Sequence, residues 1–196
     1  MKPKASINLP QWVPVVWIAA LLSLFSFFLE TRDVEWSGYV SLSGTIIEAI
    51  LWVFIMASLH RRGNAQPILM VFISLSLVLD IVSEISALFV EEISVGLISL
   101  IVWSIALIII VVNYSGAFRK YAIVNLVCIG AIILYSIIPG FLDIDFSNLS
   151  ASTFRWIIYP MLALVYYSYQ VLVEAISENE EDSDSIVSGE ENNSQG

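Results

Sequence analysis

Polar and hydrophobic positions along this chain fall into blocks. Six nearly uninterrupted apolar runs, approximately Trp12 to Leu29, Tyr39 to Leu59, Pro67 to Val90, Ile93 to Val112, Tyr121 to Phe141 and Phe154 to Val173, are separated by short polar connections. A helix rises ~1.5 Å per residue, so about 20 residues cross the ~30 Å of hydrocarbon in a bilayer, and a helix satisfies all its backbone amides internally there. The pattern predicts an all-α membrane protein, a six-transmembrane-helix bundle over residues 1–173. The connections leave no room for a catalytic domain outside the membrane.

From Glu174 to Gly196 the pattern changes. This stretch carries Glu178, Glu180, Glu181, Asp182, Asp184, Glu190 and Glu191, with Ser and Asn but no Lys or Arg. Too little apolar surface is available to offset the entropy of ordering it, so residues 174–196 are expected to form a disordered acidic tail. Composition agrees with the blocks. Of 196 residues 58% are hydrophobic and 13% charged, and the mean hydropathy is +0.85, a balance that requires lipid as solvent. The net charge of −10 comes mostly from the tail and points to no nucleic-acid partner. Lys2 and Lys4 precede the first run as in a signal peptide. That run, however, passes through Phe27-Phe28-Leu29 into Glu30-Thr31-Arg32-Asp33 with no small-residue cleavage site, so it is expected to be a retained helix.

With eight Lys and Arg in the chain, each can be assigned to a side. Lys2, Lys4, Arg61, Arg62, Arg119 and Lys120 share one face with the termini, and Arg32 and Arg155 fall on the other. Positive loops are retained inside, so both termini are expected in the cytoplasm of a plasma or inner cell membrane. The outer face is then acidic, with Glu30, Asp33, Glu35, Glu91, Glu92, Asp143 and Asp145. Trp12, Tyr114 and Tyr121 are expected at the inner interface, and Trp36, Tyr39, Trp156 and Tyr159 at the outer one.

Three carboxylates interrupt the apolar runs: Glu48 in the second, Asp80 and Glu84 in the third. An acid at mid-helix costs about 2.5–3.5 kcal/mol on insertion scales, so such groups face the bundle interior or a wet cavity. Glu48 and Asp80 both lie ~13–15 Å below the outer ends of their helices. Helices joined by a connection as short as His60 to Gln66 are antiparallel neighbours, so the two carboxyls can approach. Periodicity supports this. Ser76, Asp80, Ser83, Glu84 and Ala87 line one side of helix 3, and Ser37, Ser41, Thr45 and Glu48 line one side of helix 2. No basic side chain is level with the pair, so a proton, a bound cation or water must balance their charge. Glu48, Asp80 and Glu84 are therefore the candidate ion-binding residues, and Ser41, Thr45, Ser76 and Ser83 the candidate pathway lining. Asn113, Asn125, Tyr135, Ser136 and the Tyr159, Ala163, Tyr166, Gln170 face of helix 6 read as packing with interhelical hydrogen bonds, and Pro160 as a kink.

What is missing narrows the chemistry. Cys128 is the single Cys and His60 the single His, which excludes a Cys/His metal site, a disulfide and a Cys-His or Ser-His nucleophile. Ser41-Leu42-Ser43-Gly44 has no membrane His to activate a serine. No helix carries an Arg series for voltage sensing, and Ser94-Val95-Gly96-Leu97 is a poor match to a selectivity filter. Neither a cofactor nor an enzymatic activity is expected. Two readings remain. One is a small proton- or cation-linked carrier or channel subunit using the intramembrane carboxylates. The other is a non-catalytic accessory, sensor or immunity-type protein that binds another membrane protein through its tail or outer loops. A membrane enzyme ranks behind both.

Overall fold

The computed structural model describes residues 7–30, 34–89, 95–142 and 151–177. After a 3-10 turn at Pro10–Trp12 come α1 (Val13–Glu30), α2 (Ser37–Arg61), α3 (Pro67–Phe89), α4 (Val95–Asn113), α5 (Ala117–Leu142) and α6 (Ala151–Ser177), with no strand among the described residues. The boundaries follow the apolar runs closely, and α6 runs on past Val173 to Ser177 with Ala175 and Ile176 buried. Among the described residues, four helical spans are long and apolar enough to cross a membrane: Pro10–Leu29, Ser37–Arg61, Pro67–Leu88 and Val95–Asn113. Their outward surfaces fit that role. Leu21, Val53, Val71 and Leu97 are each more than half exposed, an apolar band that water would not tolerate over so many helices.

Each helix packs against its neighbours in sequence, and α1 packs against α6, so the six close into a ring. Short turns hold the end that carries the termini. Gly63 adopts a left-handed backbone (φ 70°) just past α2. There its N–H donates to the carbonyl of His60 at 3.1 Å while Asn64 N–H donates to that of Leu59 at 3.0 Å, the glycine-dependent way of satisfying a helix's last carbonyls. Tyr114, fully buried, reaches from the α4–α5 turn to donate to the Asn64 carbonyl at 2.6 Å. The segment before α1 closes the same end. Ile7 is fully buried, its carbonyl accepts the Ser58 hydroxyl, and Leu9 N–H donates to the Ile176 carbonyl at 2.6 Å.

Burial is distributed unevenly along the ring axis. Leu51, Ile55 and Leu59 of α2, Leu69 and Ile73 of α3, Leu107 and Ile110 of α4, Phe118 and Ala122 of α5, and Leu172 and Ile176 of α6 are all buried toward the end carrying the termini. Beyond Ser76, none of the described side chains of α3 is buried. The bundle is thus packed solid at one end and looser at the other. At the looser end α2 approaches the helices beside it through glycine: a Cβ on Gly44 would sit 3.4 Å from Cβ of Leu22, and one on Gly38 would sit 2.7 Å from Cδ2 of Leu88.

Several expected contacts differ. Tyr114 and Tyr121 are core residues, since both rings turn into the ring of helices instead of lying at an interface. Asn113 and Asn125 donate within their own helices, to the carbonyls of Ile109 at 2.9 Å and Tyr121 at 3.2 Å, not across to a neighbour. One turn of helix always supplies such an acceptor, whereas a partner helix must be placed to do so. Tyr166 and Gln170 are exposed. The side chains of Tyr135, Ser136, Arg155, Trp156 and Tyr159, the acidic residues Asp33, Glu91, Glu92, Asp143 and Asp145, and the tail from Glu178 lie outside the described residues.

Candidate functional site

Where the solid packing ends, α2, α3 and α4 enclose a cleft of about 250 Å³. Helix α2 contributes Thr45, Glu48 and Trp52, spaced by three and four residues and so on one face. Leu77 and Asp80 come from α3, and Gly96, Ser99, Leu100 and Trp103 from α4. Because α2 and α4 run in opposite senses along the chain, their lining residues form matching layers. Thr45 and Gly96 are at the looser end, Glu48 and Ser99 lie between, and Trp52 and Trp103 are deepest.

The deep end is aromatic. Trp52 and Trp103 meet edge to face, with ring centroids 4.9 Å apart and planes at 80°, the arrangement that ring quadrupoles favour. Trp52 also reaches across the ring to Tyr121 (5.8 Å) and Phe118 (6.4 Å) of α5. It is 1% exposed, and its indole Nε1 is a buried donor without a hydrogen-bond acceptor. The Glu48 carboxyl one turn earlier lies beside it, short of full hydrogen-bond geometry.

The two carboxylates are held differently. Asp80 is fixed by two serines: Ser99 of α4 donates to Oδ1, and Ser76 of α3 lies 3.5 Å from Oδ2 and 3.4 Å from the Ser99 hydroxyl. Both serines are buried. Glu48 has no such clamp, but it sits centrally. It is within electrostatic range of Asp80 on α3 and of the phenols of Tyr121 on α5 and Tyr169 on α6. Tyr169 in turn shares a 3.2 Å hydrogen bond with Ser23 of α1. Polar groups from all six helices thus lie around or next to the Glu48 carboxyl.

Of the candidate residues, Glu48, Asp80 and Thr45 are brought together in the cleft. Ser76 stands behind it as an anchor for Asp80. Ser83 packs where a Cβ on Gly96 would meet its hydroxyl at 3.3 Å. Ser41 and Glu84 are partly buried and do not line the cleft. Sequence reasoning missed Ser99, Trp52 and Trp103. For the tryptophans a signal existed, because Trp favours the membrane interface and both lie at mid-run. Ser99 carried a weaker one, with Gly96, Ser99 and Trp103 at offsets of one helical face.

The lining includes no Lys, Arg or His. Among the described residues, no group of three or more His, Cys, Asp or Glu is placed to hold a metal ion. Such an arrangement can bind a proton or a monocationic group between two carboxylates and exchange it with water entering from the looser end. Comparison with family models, with curated proteins and with solved structures finds no match to this chain.

Proposed function

We propose that the chain crosses a cell membrane six times with both termini in the cytoplasm, and that it is a small proton- or cation-linked carrier whose coupling site is the Glu48/Asp80 pair. The observation that carries this reading is that two carboxylates from neighbouring helices line one cleft whose lining holds no basic side chain. Two such charges in an apolar bundle need a counter-charge, and a mobile cation supplies one that can come and go. The uneven packing suits alternating access. A solid floor of Trp52, Trp103, Phe118 and Tyr121 separates the carboxylates from the end with the termini, and the opposite approach through Thr45 and Gly96 is more open.

The cytoplasmic position of the termini rests on the six-to-two division of Lys and Arg. In that frame the cleft faces outward, below an acidic outer surface that raises the local concentration of cations. Reconstitution tests the reading. Proteoliposomes loaded with a pH-sensitive dye should dissipate an imposed proton or cation gradient faster than empty liposomes, and Glu48→Gln with Asp80→Asn should return the rate to that of lipid alone. Dissipation of every gradient at the wild-type rate by the double variant would rule the proposal out.

A further inference from the structure

The cleft is larger than a bare ion requires and is lined to do more than hold one. A water takes up ~30 Å³, so 250 Å³ corresponds to about eight waters. A desolvated metal ion needs six or more oxygens closing on it at about 2–2.6 Å, which two carboxylates on facing walls of such a space do not provide. The walls are also partly apolar, with Leu77 and Leu100 on one side and Trp103 in the floor. In addition, the floor holds a buried donor with no acceptor, Trp52 Nε1. A proton or metal ion would leave that N–H unsatisfied, and a buried unpaired donor is costly enough that a ligand supplying an acceptor gains by it.

We infer that the cleft binds a small organic ammonium compound carrying a hydroxyl or carbonyl oxygen, with its cationic nitrogen between Glu48 and Asp80, its alkyl groups against Trp103, and its oxygen accepting from Trp52 Nε1. This rests on the carrier reading above and names the class of its cargo. Each part of the ligand answers to something in the site. The positive charge meets two carboxylates, of which Asp80 is held in place by Ser99 and Ser76. Ammonium groups bind over indole faces by attraction to the ring quadrupole, more strongly where water is excluded. The oxygen meets the one buried donor that lacks an acceptor. Anions are excluded by the carboxylates.

Equilibrium binding to the purified full chain in lipid nanodiscs decides the matter, with radiolabelled choline, ethanolamine and tetramethylammonium as probes and sodium as competitor at constant ionic strength. At least one of the oxygen-bearing probes should bind saturably and be insensitive to sodium. Tetramethylammonium, which lacks the acceptor, should bind about tenfold more weakly, the scale of one hydrogen bond. Glu48→Gln should abolish binding. Trp103→Leu should weaken it about tenfold, and Trp103→Phe, which keeps an aromatic ring and the packing, should weaken it less. Proton flux that depends on Glu48, with no saturable binding of any probe, would overturn this inference and leave the carrier reading standing. Binding that persists in Glu48→Gln places the ligand elsewhere and also overturns it. Loss of both flux and binding from the wild-type protein defeats the two readings together.

Discussion

Ser99 of α4 donates its hydroxyl proton to Oδ1 of Asp80 on α3, and Ser76 lies within reach of the other oxygen, so the carboxylate is gripped by two helices at once. This grip accounts for a rigid Asp80 opposite a freer Glu48. It also joins α3 to α4 in the half of α3 where no described side chain is buried.

Ser99→Ala should therefore destabilise the protein by about 1 kcal/mol, within the ~0.6–1.7 kcal/mol measured for polar contacts between membrane helices. Ser99→Thr keeps the hydroxyl and should recover most of the loss. Unfolding in mixed micelles by SDS titration measures both. Equal losses in the two variants would mean that packing volume, not the hydrogen bond, matters at this position.

The helices were legible because membrane thickness imposes one length on every apolar run, and the run ends at Leu29, Leu59 and Val112 each fall within two residues of the observed ends at Glu30, Arg61 and Asn113. The pairing of Glu48 with Asp80 was legible too, since both depth and face follow from counting residues along regular helices. Counting from a single helix does not show where a cleft stops or what reaches in from the facing wall. Glu84 shares a stripe with Asp80 but stands ~6 Å further along the axis, past the lining. Ser76 has the same period and yet points to where α4 supplies Ser99. The Trp52–Trp103 floor depends on α2 and α4 meeting across α3, which no pattern within either helix encodes.

The segment ahead of α1 is docked by few contacts: the Ile7 side chain, the Ser58 hydroxyl on its carbonyl, and Leu9 N–H on Ile176. Local openings draw on such thin attachments before the whole fold yields. Ser58→Ala and Ile7→Ala should leave the SDS unfolding midpoint nearly unchanged while making the bonds around residues 5–9 markedly more sensitive to protease. A large drop in the midpoint would show that this segment belongs to the cooperative core.

Lys120 at the start of α5 donates to Glu174 near the end of α6 at 3.0 Å, with both side chains about half exposed. The hydrogen bond to Glu174 and its charge hold the Lys120 ammonium above the usual lysine range. A lysine raised in the folded state contributes fully below its unfolded value of about 10.4, and the contribution is lost as pH rises through the folded value. The difference in melting temperature between wild type and Lys120→Met should therefore be small, constant from neutral pH to about pH 10, and should vanish above that range. It should also shrink with added salt, as exposed pairs do. A difference that changes between pH 6 and 8 would assign the effect to another group.

The direction in which the cleft opens can be read from single cysteines. Thr45 and Gly96 form its mouth, and Gly96 is exposed, whereas Leu51 and Ile73 are fully buried toward the end with the termini. A thiol reacts as its thiolate, which water supports and apolar burial suppresses. Cys128, the chain's only cysteine, is replaced by serine first. In that background Thr45→Cys and Gly96→Cys should react with a charged, membrane-impermeant methanethiosulfonate on the order of tenfold faster than Leu51→Cys or Ile73→Cys. The new side chain at Gly96 meets only the Ser83 hydroxyl at 3.3 Å, which a small rotation relieves. With both termini in the cytoplasm, the fast reaction should occur with reagent added outside intact cells, and prior addition of a bound ammonium probe should slow it. Reaction only from the cytoplasmic side would invert the proposed orientation. Equal rates at all four positions would mean that the floor of Trp52 and Trp103 does not separate a wet cleft from a dry core.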